Sequence, residues 1–301
     1  MLRCFTLSCV LLLQVLSHAA EIRDLLLVAG QSNAVGFDAN EAELPVDPRD
    51  AETLFWWRVG DPPPDTFDGT SGRQWTQLQF QPRTPAMEGD AAKTTGRQYG
   101  NFNKSMKGGF GPEMGLVRTL LTKPGPPLAV LKTAFSGTSV AGDWNVALPG
   151  QADACYRAMI EEIRLATAAA TARGLTLRPR ALIWVQGESD AHPQHAPVYA
   201  ANLSAMLLRL RQDLGAPDLI LLIGVNTRFG NGKNPHMPAV IEAQQQVAKE
   251  LSRCRYVDTA GAETLPPSHT HFTVRGTLEI GRRFAEALLA VESAGAAVPK
   301  R

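Results

Sequence analysis

Leu25-Leu26-Leu27-Val28-Ala29-Gly30-Gln31-Ser32-Asn33 sets an unbroken apolar run directly against a glycine and three polar side chains. Five apolar residues without alternation suit a strand buried on both faces of a parallel sheet. The glycine then ends the strand, and the polar residues begin a turn at its carboxyl end. The same pattern returns four times. Leu128 to Ala134 runs into Ser136-Gly137, Ala181 to Val185 into Gln186-Gly187, and Leu219 to Val225 into Asn226. Arg255-Tyr256-Val257-Asp258 is a shorter fifth run.

Helical patterns separate these runs. They begin at Pro112, cover Ala154 to Ala172 and Pro197 to Leu214, and return at Pro238 to Leu251 and Thr277 to Val291. Leu203, Leu207, Leu210 and Leu214 keep helical spacing, and Gly174 stands where the second pattern stops. Strand alternating with helix predicts an α/β fold, a three-layer α/β/α sandwich around a central parallel sheet. No internal repeat and no second domain is visible, so residues 21–301 read as one domain.

The stretch from Asp38 to Gly109 breaks the alternation. It holds Pro62-Pro63-Pro64, many small polar residues, and the aromatics Phe55, Trp56, Trp57, Trp75 and Tyr99. A long irregular insertion after the first strand belongs over the carboxyl edge of the sheet, where such loops are commonly functional. Its aromatics either stack on sugar rings or pin the segment to the domain, the latter being preferred for Trp56 and Trp57.

The chain has 301 residues, 44% apolar and 20% charged, with a formal net charge of +1. That is ordinary globular composition. Scattered charges near neutrality leave no electrostatic footprint for nucleic acid or an anionic membrane and suit a neutral ligand such as a glycan. Arg3, the apolar run Val10 to Leu16, and Ser17-His18-Ala19-Ala20 follow the order of an export signal cleaved after Ala19. The run is too short to span a bilayer. Residues 1–20 are therefore expected to be a signal peptide and the product to be secreted or periplasmic, without a membrane anchor. Cys155 and Cys254 remain after cleavage, either as a disulfide or as two core residues. No Cys/His cluster has zinc spacing.

Four polar turns fall at strand ends: Gly30 to Asn33, Ser136 to Ser139, Gln186 to Asp190, and the segment after Asp258. Open α/β sheets bind ligands at this edge. A serine, glycines, an amide, carboxylates and histidines converge there, the residue types that acyl transfer requires. A serine hydroxyl needs a histidine to take its proton and usually a carboxylate to orient that histidine.

Leu26 to Asn33 resembles the first signature of the sialate O-acetylesterase and carbohydrate esterase family six group of the SGNH hydrolase superfamily. Phe110-Gly111-Pro112-Glu113, Ala134 to Ser139, Trp184 to Asp190 and His271 to Gly276 are similar to further signatures of that group, in the same order. The resemblance implies a flavodoxin-like fold without metal or organic cofactor, and hydrolysis of acetyl esters on an acetylated oligo- or polysaccharide. It implies Ser32 as nucleophile and His271 as general base. The oxyanion hole would draw on the Ser32 N–H, Gly137 and the Gln186 amide, with Gly111 as the alternative to Gly137. Gln31, Asn33 and His269 are candidate substrate contacts.

The group often places an aspartate three residues before the histidine. Here that position is Ser268, which can hydrogen-bond an imidazole but cannot offset its charge. Glu188 is the expected substitute as catalytic acid, ahead of Asp258 and Glu263, while Asp190 is expected to brace a loop or cap a helix. Two other functions fit the same scaffold: a carbohydrate-binding protein without catalysis, and a lipase or thioesterase with another acyl group.

Overall fold

The computed structural model describes residues 20–60, 62–63, 69–83, 101–103 and 105–296. Residues 1–19 of the expected leader, and Tyr99, lie outside them.

Six strands form a parallel sheet: β1 (Glu21–Gly30), β2 (Leu54–Gly60), β7 (Leu128–Phe135), β8 (Leu175–Val185), β9 (Ile220–Gly224) and β10 (Cys254–Tyr256). Their order is β10-β9-β8-β1-β7-β2. The short β3 (Gly69–Thr70) and β4 (Thr76–Gln77) pair with β2 antiparallel. Two further short strands, β5 (Gln81–Pro82) and β6 (Gly108–Gly109), form a separate antiparallel pair. β1 lies between β7 and β8, with Ala29 opposite Thr133 on one side and Trp184 on the other. From β1 the chain passes to β2, returns to β7 beside β1, and then crosses to β8, β9 and β10 on the other flank, so the strand order changes side at β1 and a crevice opens at the strand ends there.

Helices cover both faces, as strands buried on both sides require. On one face α3 (Ala154–Thr171), α4 (Tyr199–Asp213) and α5 (Met237–Glu250) pack against Leu25, Leu27, Trp56, Leu131 and Trp184. On the other, α1 (Ser32–Val35), α2 (Glu113–Leu120) and α6 (Val274–Ala296) cover Leu26, Val28, Phe55, Trp57, Val130 and Ile183. The five longer helices match the five sequence patterns to within a few residues at each end.

The segment after Asp38 departs from expectation. Rather than lying wholly over the sheet edge, it supplies β2, which runs parallel to β7 with Trp56 opposite Leu131. Phe55, Trp56 and Trp57 alternate between the two cores and are buried, so they are packing residues. Trp56 donates its indole N–H to Glu162 at 2.7 Å, and Trp75 donates to the Ala166 carbonyl at 2.9 Å. Cys155 and Cys254 are not joined by a disulfide. Among the described residues no helix is long and apolar enough to cross a membrane.

Candidate active site

The chain leaves β1 at Gly30 and turns immediately. The Gln31 N–H still reaches Val185 O across to β8, and Gln31 O then accepts from Ala34 and Val35 to start α1. Ser32 is the first residue of this one-turn helix. Gly36 stops it in the left-handed region at φ 82°, and its N–H closes back on Ser32 O. The turn directs the chain to Phe37 and Asp38, both on the carboxyl edge.

His271 reaches the same place from the far end of the sequence. Asn33 holds it by the backbone on both sides: its Nδ2 donates to Thr270 O at 3.0 Å, and its Oδ1 accepts from Phe272 N at 3.1 Å. The residue next to Ser32 therefore fixes the loop that carries the histidine. The imidazole Nδ1 lies 2.6 Å from Asp38 Oδ2, and the Phe37 ring sits 4.8 Å from the imidazole, centroid to centroid. Asp38 Oδ1 accepts from the Asn103 amide at 2.7 Å. Burial works to raise the Asp38 carboxyl, but hydrogen bonds from His271 and Asn103, with the imidazole charge, outweigh it and hold the group below its ordinary value. An ionised Asp38 accepts the Nδ1 proton and leaves Nε2 as the basic nitrogen. Neither Ser32 Oγ nor His271 Nε2 is taken up by another side chain among the described residues.

Ser268, at the position where the resemblance led an acid to be expected, does not reach the imidazole; its Oγ accepts from the Thr270 hydroxyl. From sequence Asp38 is only the first residue of an irregular stretch, not a candidate acid. It lies 233 residues from His271 and opens the stretch read as an insertion. Its one local signal is its place two residues beyond the glycine that ends the serine turn.

Glu188, expected as the acid, occupies the 3₁₀ turn after β8. Its Oε1 accepts from Asn33 Nδ2 at 2.7 Å and from Asn226 N at 3.3 Å, while Oε2 is buried without a partner. Burial pushes this carboxyl above its usual range, against the pull of its own N–H, Asn33, Asn226 and His271. Glu188 thus lies near the histidine and supports Asn33, but Asp38 is the carboxylate on Nδ1. The other candidate acids lie elsewhere. Glu263 binds Arg275 and Thr273, and the Arg275 hydrogen bond holds it down at about 2. Asp258 accepts from Ala260 N.

The remaining candidate residues divide by what holds them. Gln31 Oε1 accepts from Ser189 N at 3.2 Å and Gly187 N at 3.4 Å, tying the serine turn to the β8 turn. Gln186 is fully buried, and its Nε2 donates to Asp190 Oδ2 at 2.6 Å and Thr138 O at 3.0 Å. Both N–H bonds expected to meet an oxyanion are therefore engaged in holding the loop after β7. Asp190 braces that loop, as expected, by accepting from Val140 N at 2.7 Å and Ala141 N at 3.1 Å. Gly137 lies in the braced segment at φ 69°. The Gly111 N–H donates to Glu113 Oε1 at 2.8 Å. His269 adopts φ 52°, and its ring contacts Thr264 Oγ1 at 2.8 Å and Arg228 at 3.3 Å. The left-handed backbone at His269 separates the two histidines, which in extended chain would point the same way. No group of three His, Cys, Asp or Glu side chains is placed to hold a metal ion among the described residues.

Comparison with known proteins gives this arrangement its class, a carboxylic ester hydrolase on an α/β fold. The chain belongs to the family described as carbohydrate esterase, sialic acid-specific acetylesterase, whose model matches residues 22–290. Family membership carries hydrolysis of acetyl esters on carbohydrate. Three solved structures share the fold. A protein from Arabidopsis thaliana matches with TM-score 0.63 and 18% identity, over 89% of this chain and 98% of its own. NanS matches with TM-score 0.59 and 17% identity, over 92% and 99%. A carbohydrate acetylesterase from Xanthomonas citri matches with TM-score 0.59 and 18% identity, over 90% of this chain but only 56% of its own length. No curated protein matches.

Proposed function

We propose that the protein is an exported serine esterase that removes acetyl groups from glycans through Ser32, His271 and Asp38. The observation that carries this reading is the 2.6 Å contact between His271 Nδ1 and Asp38 Oδ2, in a loop that Asn33 ties to the serine turn on both sides of the histidine.

Ser32 Oγ attacks the acetyl carbonyl carbon while His271 Nε2 takes the hydroxyl proton. Asp38 keeps the imidazole in the tautomer with a bare Nε2 and offsets the positive charge that forms. An uncompensated imidazolium in a water-poor site costs several kcal/mol, about what an ionised partner removes. The developing oxyanion meets the Ser32 N–H at the start of α1 and the main chain at Gly137, held in place by Asp190 and Gln186. Gln186 serves by bracing the loop and not as a donor to the oxyanion. At Gly111, the alternative to Gly137, the N–H donates to Glu113. Collapse of the intermediate expels the sugar alcohol, protonated by His271. Water then attacks the acetyl-enzyme by the same route and releases acetate.

The binding-protein alternative rested on a missing acid, and Asp38 supplies one. Acetate release from acetylated xylan and acetylated sialic acid, set beside p-nitrophenol release from acetyl and longer-chain p-nitrophenyl esters, tests the substrate class. The reading predicts turnover of acetyl esters on sugars, abolished in Ser32→Ala with folding intact. A preference for long acyl chains would overturn it. Export predicts a mature product that begins at Ala20, read by N-terminal sequencing.

A further inference from the structure

Lys132 lies in the interior of β7, among Ala129, Val130, Leu131 and Ala134, and is completely buried together with Glu113. Its ammonium donates to Gln81 Oε1 at 2.8 Å, Glu113 Oε1 at 2.9 Å and Val35 O at 2.9 Å. Three acceptors use all three N–H bonds. Burial pushes the ammonium below its ordinary pKa, against the attraction of Glu113. Glu113 Oε1 also binds the Gly111 N–H, and Oε2 is buried without a partner.

A buried ion pair is a poor device for stability, because apolar residues of similar volume often serve the fold as well or better. What this pair touches is more informative. Val35 is the last residue of α1, and its carbonyl is one that a helix end leaves without an intrahelical donor. From Val35 the chain turns through Gly36 into Phe37 and Asp38. Gly111 lies between the ammonium and α1: a Cβ there would collide with Ala34 O and stand 2.7 Å from Lys132 Nζ. The Phe110 to Glu113 segment thus brings the carboxylate and the lysine together beneath the serine helix. Gln31 pins the other end of that helix to the β8 turn.

We infer that Lys132, supported by Glu113, is a positioning residue that fixes the C-terminal end of the Ser32–Asp38 segment and so sets the nucleophile and the acid in register with His271. This rests on the roles of Ser32 and Asp38 given above.

Lys132→Met removes the three donors while keeping an unbranched side chain. Lys132→Met/Glu113→Gln also removes the carboxylate that the first change leaves unpaired. With p-nitrophenyl acetate, both are expected to lose kcat by about 10- to 100-fold at a KM within about twofold of the parent, because small misplacements of reacting groups carry penalties of that size. Labelling of Ser32 by a serine-directed phosphonate should slow in parallel. The double variant should unfold at a urea concentration close to that of the parent. A folded double variant with the parent kcat, or a loss confined to KM, would overturn the inference. Should the Lys132 variants not fold, Glu113→Gln alone decides: a lower kcat at unchanged KM is expected, and the parent kcat overturns. Ser32→Ala, assayed alongside, separates the two readings. Turnover in Ser32→Ala would defeat the nucleophile assignment, whereas a dead Ser32→Ala beside a fully active double variant defeats only the role of Lys132.

Discussion

Two strand-end turns flank the crevice, and they use their carboxylates in opposite ways. The turn after β1 delivers Asp38, partly hydrated and held below its ordinary pKa against an imidazole. The turn after β8 delivers Glu188 and Asp190, both buried and both pushed up by that burial. Glu188 and Asp190 accept hydrogen bonds from Asn33, Asn226, Val140, Ala141 and Gln186, groups that shape the loops around the site. A carboxylate that must stay ionised to balance a cation gains from partial hydration and a charged partner. A carboxylate that organises backbone can be buried, and its charge is a liability there. Both turns are rich in conspicuous polar residues, but their surroundings give the acids different work.

The largest effect expected from this contrast is in Asp38→Asn. With the imidazole held but its charge uncompensated and its tautomer no longer enforced, kcat should fall about a thousandfold or more. Steady-state assay on acetyl esters measures it. Asp190→Asn comes next. It weakens the brace on the Gly137 loop, and a loss of about 10- to 100-fold in kcat, with smaller change in KM, is expected if that loop meets the oxyanion. Glu188→Gln should be mildest for catalysis, within about tenfold of the parent, because the amide oxygen can still accept from Asn33.

Stability should separate the two turns by sign. Asp38 has a lowered pKa, so its contribution is present above the ordinary value of 3.8 and lost as the pH falls through the depressed one. The disadvantage of Asp38→Asn in urea unfolding should therefore shrink on going from neutral to strongly acid pH. Glu188 has a raised pKa, so the folded state favours its protonated form, and stability is lost as the pH rises from 4.5 through the raised value. Glu188→Gln should gain on the parent as the pH rises across that window. A difference independent of pH would contradict the assignment of a strained charge to Glu188.

The fold was legible wherever apolar strands ended in glycine and polar residues, because burial on both faces leaves no alternation to confuse the pattern. It was not legible at Leu54–Gly60, where Phe55, Trp56 and Trp57 sit inside an irregular, Pro-rich surrounding. Only the partner strand β7 shows that their alternation divides them between two cores. The site divides similarly. Ser32, His271 and Asn33 stand in turns marked by their own neighbours. Asp38 carries no such mark, because its role depends on a loop more than two hundred residues away, and Glu188 drew attention as the carboxylate in the most recognisable turn. Gln186 looked available from sequence because its burial and its bonds to Asp190 and Thr138 come from tertiary structure alone.

The most direct test is the ratio of kcat/KM between Asp38→Asn and Glu188→Gln, each measured on the same acetyl ester and each shown to be folded. The assignment of Asp38 as the acid of His271 predicts that the Asp38 variant is slower by about a hundredfold or more. A Glu188 variant that is the slower of the two, beside a largely active Asp38 variant, would contradict it.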